Sequence, residues 1–200
     1  MKHSAPLWIL SVLAVMLAVG WLGSRAIPTA KLSQPSQGEA LIGGHFELVN
    51  AAGKTVTEKD FAGKTMLVFF GFTHCPDFCP TALLTVQSAL ADLGADADKI
   101  TPIFITIDPA RDTPEVMGKY VAHFGPRMVG LSGSAAQIRQ VADAYKVYYS
   151  KMENEGDPND YMMDHSGFIY LMDGHGKYIA HFPATIAEPQ LRDALAKAVR

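Results

Sequence analysis

Apolar positions along this chain fall into three patterns, and each predicts a different kind of element. The first is Ala5 to Gly23, APLWILSVLAVMLAVGWLG, nineteen residues without a charge and apolar on every side. As a helix rising ~1.5 Å per residue it would reach roughly 28 Å, close to the ~30 Å hydrocarbon core of a bilayer. Trp8 and Trp21 stand near its two ends, where amphipathic rings prefer the headgroup level, and Lys2 supplies positive charge on the N-terminal side. The pattern predicts one N-terminal transmembrane helix within residues 1–24, with the N-terminus in the cytoplasm. A cleaved signal peptide is the competing reading, but its apolar run is usually ~7–15 residues, and the nearest small-x-small site, Ser24-Arg25-Ala26, carries an arginine. Both readings export the rest of the chain. With no acid-poor, Arg-rich presequence, the expected location is a bacterial inner membrane, single-pass, with the globular part in the periplasm.

The second pattern is the absence of one. Residues 25–42 include IPTAKLSQPSQG, rich in Pro, Ser, Gln and Gly without periodicity, as expected of a flexible tether. The third is alternation of strand-length apolar runs with helical periodicity over residues 43–200, one domain by length. Thr65–Phe72 and Ile103–Ile107 read as buried strands. Leu83, Val86, Leu90 and Leu93 give a helix over Ala82–Leu93, stopped by Gly94. Pro114–Phe124 and Ser134–Ala144 read as helices, the first capped by Asp112 or Thr113. Tyr145–Met152 reads as a strand whose aromatics pack on the sheet. Phe168–Met172 and Lys177–Phe182 flank DGHG as a hairpin, and Glu188–Val199 closes the chain as an amphipathic helix. That order suits an α/β domain, a mixed central sheet with flanking helices.

Composition narrows the chemistry. The chain has 17 Lys and Arg, scattered, against 20 Asp and Glu, a formal charge of −3, so nothing points to nucleic acid. It has two cysteines, too few for a disulfide framework, and both lie in FGFTHCPDFCP, Phe70 to Pro80. The pair sits where a long strand meets a helix, the position of the redox motif in a thioredoxin-like fold. Because proline is tolerated only in a first helical turn, Pro76 and Pro80 require the helix to start inside the motif. Cys75 and Cys79 then stand at its N-terminal edge, where the dipole and free N–H groups favour thiolate.

Spacing separates two uses of such thiolates incompletely. Positions i and i+4 of a helix have Cβ atoms ~5–6 Å apart, whereas a disulfide wants ~3.5–4.5 Å, so one soft metal ion is favoured and dithiol chemistry stays open. A purely structural bridge would close a very short loop and constrain little. Among seven histidines, His165 in MMDHSGF is singled out, expected in a loop facing the cysteine helix, with Asp164 beside it to orient the ring. His74 is expected to point away, and the other histidines read as solvated or packed. Two thiolates and an imidazole suit copper, Cu(I) or Cu(II), better than structural zinc, which usually takes four protein ligands.

With these residues in view the sequence resembles the Sco/SenC family of membrane-anchored, thioredoxin-like copper proteins. The resemblance is carried by DFAGKTMLVFFGFTHCPDFCP, FITIDPARDTPEVMGKYV, GLSGS, YKVYY and DHSGFIYLMDGHGKY, in that order. It implies a thioredoxin-like fold with family insertions, copper ligation by Cys75, Cys79 and His165, and delivery of copper to the CuA site of cytochrome c oxidase subunit II. A periplasmic copper donor is a further implied partner. The function is then a metallochaperone rather than an enzyme. The alternative is a thiol:disulfide oxidoreductase, in which Cys75 and Cys79 reduce partner cysteines. Peroxide reduction has no specific support in the sequence.

Three further stretches read more plainly. DPARDTP, Asp108 to Pro114, is taken as a turn and helix cap, with Asp112 reaching first-turn N–H groups, over a charged scaffold beneath the cysteine loop. Met162 and Met163 could offer thioether sulfur to Cu(I) but read first as packing residues. ENEGDPND, Glu153 to Asp160, reads as a solvated acidic loop.

Overall fold

A computed structural model describes residues 41–153 and 161–200. The predicted membrane helix, the tether up to residue 40 and residues 154–160 of the acidic stretch lie outside the described residues. Among the described residues no helix is long and apolar enough to cross a membrane.

The predicted α/β domain is present, thioredoxin-like in its central sheet and flanking helices. Its strands are β1 (Glu47–Asn50), β2 (Thr55–Thr57), β3 (Thr65–Gly71), β4 (Ile100–Thr106), β5 (Val129–Ser132), β6 (Tyr149–Glu153), β7 (Tyr161–His165), β8 (Phe168–Met172) and β9 (Tyr178–Pro183). Its helices are α1 (Phe78–Asp92), α2 (Pro114–Val121), α3 (Ala135–Tyr145) and α4 (Glu188–Ala198). Seven strands form one mixed sheet in the order β2-β1-β5-β4-β3-β8-β9, with β3, β4 and β5 parallel. β6 and β7 form a separate antiparallel ribbon.

The centre of the sheet is β3, TMLVFFG, buried at every position. A strand covered on both faces needs apolar residues throughout rather than alternation. Side chains on a strand alternate, so Leu67, Phe69 and Gly71 share one face and Val68 and Phe70 the other. On the first face Phe69 stacks on Phe104 of β4, ring centroids 5.8 Å apart, beneath Cys79 of α1. On the second, Phe70 meets Tyr145 of α3 at 5.3 Å and Tyr170 of β8 at 6.1 Å. The site therefore stands on a floor fixed by both layers.

Two elements differ from their sequence expectation. Tyr145 does not open a strand: it ends α3 fully buried, Lys146 turns the chain in a left-handed conformation (φ 58°), and β6 begins at Tyr149. Helical periodicity runs through Ile138, Val141 and Tyr145, and that tertiary packing outweighs the β preference of Tyr145. α1 begins at Phe78, four residues before the Ala82 start that apolar periodicity gives, and Pro80 sits in its first turn as the proline rule requires. The capping box at Ser134 and Gln137 starts α3 where expected.

Gly71 is where sheet and site touch. A Cβ there would lie 2.7 Å from Cys79 Sγ and 2.8 Å from the Phe104 ring. Gly71→Ala is expected to displace the cysteine or the ring and to destabilise the domain by about 1–3 kcal/mol, the usual cost of overpacking. Chemical denaturation checks this, and an unchanged midpoint would show that the floor yields.

Candidate functional site

Where β3 ends, the chain must turn into α1 without burying unpaired backbone, and Asp112 supplies the acceptors. Its side chain is fully buried and accepts hydrogen bonds from Thr73 N (2.9 Å), Thr73 Oγ1 (2.5 Å) and Thr106 Oγ1 (2.7 Å). Its carbonyl oxygen accepts from Ser132 Oγ (2.5 Å). Asp112 thus joins the ends of β4 and β5 to the cysteine loop. The helix cap belongs instead to Thr113, whose hydroxyl accepts from Val116 N. The reading of Asp112 as a cap is corrected: a carboxyl buried this deeply must be filled with donors, and the cysteine loop provides them.

The rest of DPARDTP holds the ribbon. Arg111 donates through Nε to Asp108 and through a terminal nitrogen to the Tyr161 carbonyl (3.0 Å), and its guanidinium lies 3.5 Å from the Tyr161 ring centroid. The Tyr161 hydroxyl donates to Asp108 Oδ1 (2.7 Å). This clamp fixes the start of β7, the strand that ends at His165. Sequence reasoning missed Tyr161. A tyrosine four residues before the histidine, with no motif around it, gives no signal of its partners.

Cys75, Cys79 and His165 are brought together. Cys79 is buried in the first turn of α1 and its N–H donates to Cys75 Sγ at 3.2 Å. His165 is the last residue of β7, not a loop residue as expected, and pairs with Tyr149 of β6. Its Nε2 lies 3.7 Å from Cys79 Sγ. Its Nδ1 lies 3.1 Å from the Ser166 carbonyl, which can only accept, so Nδ1 carries the proton and Nε2 presents its lone pair to the sulfur in the neutral ring. That carbonyl, and not Asp164, orients the imidazole: Asp164 lies on the opposite, exposed face of β7. His74 is exposed, with its Nδ1 near Thr73 Oγ1 (3.2 Å) and Asp112 Oδ1 (3.8 Å).

Aromatic rings enclose the imidazole. Phe72 meets it edge-on at 6.1 Å, Phe78 at 6.1 Å and Phe69 at 6.3 Å. Phe78 reaches it because residue 167 is glycine, where a Cβ would stand 2.7 Å from the Phe78 ring. Phe78, the last of the three residues between the cysteines of CPDFCP, was not singled out from sequence. Beside these rings an open cavity of about 450 Å³ is lined by Cys75, Phe78, Met162, Met163 and His165 among others.

The environments of the two thiols pull them apart. Cys75 is held at a pKa of about 5, chiefly by the hydrogen bond from the Cys79 side chain, with the backbone N–H groups of Cys79 and Asp77 adding to it against the cost of burial. Cys79 is pushed up, because it donates to Cys75 and is buried. Among the described residues no three Cys, His, Asp or Glu side chains are arranged as they stand to hold a metal ion; Cys79 meets Cys75 and His165 pairwise, with the cavity on one side. Two sulfurs and an imidazole nitrogen are the donor types that a soft ion takes.

The SCO1/SenC family profile matches residues 34–200. An SCO2-like protein of Rickettsia felis is 45% identical over 141 residues, 70% of this chain and 69% of that protein. A crystal structure of Arabidopsis thaliana ScoI with copper bound is 39% identical with a TM-score of 0.74, covering 80% of this chain and 98% of that one. The structure of Bradyrhizobium japonicum ScoI with copper bound is 44% identical with a TM-score of 0.71, covering 78% and 99%.

Alkylation by iodoacetamide reads the thiol environments directly. In the reduced, metal-free protein Cys75 is expected to react through its thiolate, with a rate that climbs as pH rises through about 5 and is flat at neutral pH, while Cys79 stays unmodified. A rate still climbing between about pH 8 and 9, the range of an ordinary thiol, would show that the hydrogen bonds do not hold the thiolate.

Proposed function

The chain belongs to the SCO1/SenC family, and on that footing we propose that it is a copper metallochaperone that holds copper through Cys75, Cys79 and His165. The observation that carries this reading is the imidazole: its Nδ1 is tied to the Ser166 carbonyl and its Nε2 is turned to the Cys79 sulfur, beside an open cavity. A histidine needed only for packing would have no reason to turn one ring nitrogen to a thiol at the edge of an open cavity. Copper as the ion is supported by the copper-bound ScoI structures from Arabidopsis thaliana and Bradyrhizobium japonicum. Thiolate sulfur retains Cu(I), and the added imidazole lets the same donors hold Cu(II).

The acceptor in this reading is the CuA site of cytochrome c oxidase subunit II, which rests on the family resemblance. A three-donor site with one open side suits release: an incoming cysteine or histidine can bind copper before Cys75, Cys79 and His165 let go. The N-terminal apolar run supports anchorage in the bacterial inner membrane with this domain in the periplasm.

One observation favours a second reading, the thiol:disulfide oxidoreductase. Cys75 is partly exposed and kept as thiolate, while Cys79 is buried and protonated, which is the division of labour between an attacking and a resolving cysteine. In that chemistry Cys75 attacks a partner disulfide, one partner sulfur leaves as thiolate, and Cys79 then displaces the other while Cys75 and Cys79 become oxidised. His165 has no required part in it.

Copper reconstitution separates the two. Wild type is expected to bind one copper with a thiolate-to-Cu(II) charge-transfer band. Changes beyond the ligands typically cost about 10–100-fold in metal affinity, so loss of the imidazole in His165→Ala should exceed that and abolish the band. A mutant that keeps wild-type affinity and band, or a wild type that binds no copper but exchanges disulfides readily, sinks the chaperone reading.

A further inference from the structure

The methionines of this domain divide by environment. Met66, Met117, Met128 and Met172 are core residues, none more than 8% exposed. Met152 and Met162 are 55% and 37% exposed, and Met163 is half-buried. All three of these lie on the ribbon whose last residue is His165. In its antiparallel register Met152 stands directly opposite Met162. Directly opposed residues share one ribbon face, with Cβ atoms ~4.5–5.5 Å apart, so two flexible thioether side chains can converge on one ion there. Met162 and Met163 also line the cavity that contains Cys75 and His165.

Packing accounts fully for the four core methionines, whereas Met152 is more than half exposed and Met162 keeps over a third of its surface open beside the cavity. What these two side chains offer that leucine would not is sulfur, a neutral soft donor matched to Cu(I). We propose that Met152 and Met162, on the ribbon face they share with Asp164, form an outer two-thioether site for Cu(I), from which the ion reaches the inner site through the cavity that Met162 also lines. The inference rests on the chaperone reading and adds an entry site to it. The transfer is a ligand exchange: thioether–copper bonds break as thiolate–copper and imidazole–copper bonds form, and copper stays Cu(I). The thioethers neither take nor release a proton, and Cys79 gives its proton to water on becoming a ligand. Neutral thioethers bind more weakly than anionic thiolates, so the exchange runs inward.

The test uses the full-length protein carrying ¹³C-methyl methionine, titrated anaerobically with Cu(I) as its acetonitrile complex. The first equivalent should leave the Met152 and Met162 methyl resonances in place, and the second should move both. Met152→Leu with Met162→Leu conserves volume at exposed positions and leaves the core untouched. This double variant should lose the second equivalent, keep the first with its charge-transfer band after oxidation, and load copper several-fold more slowly. If the two methyl resonances stay put, or the variant still binds a second ion or loads at the wild-type rate, the proposal is wrong and the pair is an apolar contact for another protein. Failure of the chaperone reading would show separately, as no binding at the first equivalent whatever the methionines do.

Discussion

Everything at this site depends on one buried carboxyl. Asp112 sits beneath the point where β3 turns into the cysteine loop, and its oxygens are filled by Thr73 and Thr106. Removing its donors would strand a polar group in the core, and removing the carboxyl would strand the Thr73 N–H, so each side holds the other in place. Because Ser132 bonds the same residue's carbonyl, three parallel strands and the loop are tied at one point. Cys75 and Cys79 inherit their positions from that knot.

The imidazole reaches the thiols from an independent direction. His165 rides on a two-stranded ribbon outside the main sheet, and a free ribbon is marginal in water. Arg111, Asp108 and Tyr161 fasten its start, and Phe72 and Phe78 pack against its end. DPARDTP therefore serves both halves of the site: Asp112 holds the cysteine loop and Asp108 with Arg111 holds the ribbon. The same arrangement is why both proposed readings draw on one site: a pair of thiols with one thiolate is compatible with either, and only the carrier reading gives the histidine on the ribbon a part.

Much of this was legible in the residues. The apolar run Thr65–Phe72 reads as a strand by its length, and two prolines among two cysteines require α1 to begin inside the motif, as it does. Cys75, Cys79 and His165 could be picked out by softness and spacing, and the structure brings all three together. What misled was DPARDTP, where capping chemistry explained the residue types well enough to hide a different use of Asp112. Local hydrogen-bonding preference is visible in sequence, but the same carboxyl also fits acceptor positions defined by residues 39 and 6 places away. Nothing local ranks those above a cap.

The sequence by itself determined which atoms could do chemistry and roughly where they lie along the chain, because donor softness, proline rules and hydrophobic period are properties of residues and near neighbours. Only the tertiary structure decided that Nε2 rather than Nδ1 faces the thiols, that Cys75 rather than Cys79 is the thiolate, and that two exposed methionines stand opposite each other beside the cavity. Each of those turns on a hydrogen bond, a degree of burial or a strand register that exists only once the chain has closed around the site, even where the partners are near neighbours in sequence. Such pairings are fixed when the core closes, since burial and directional bonding then leave each donor one available partner.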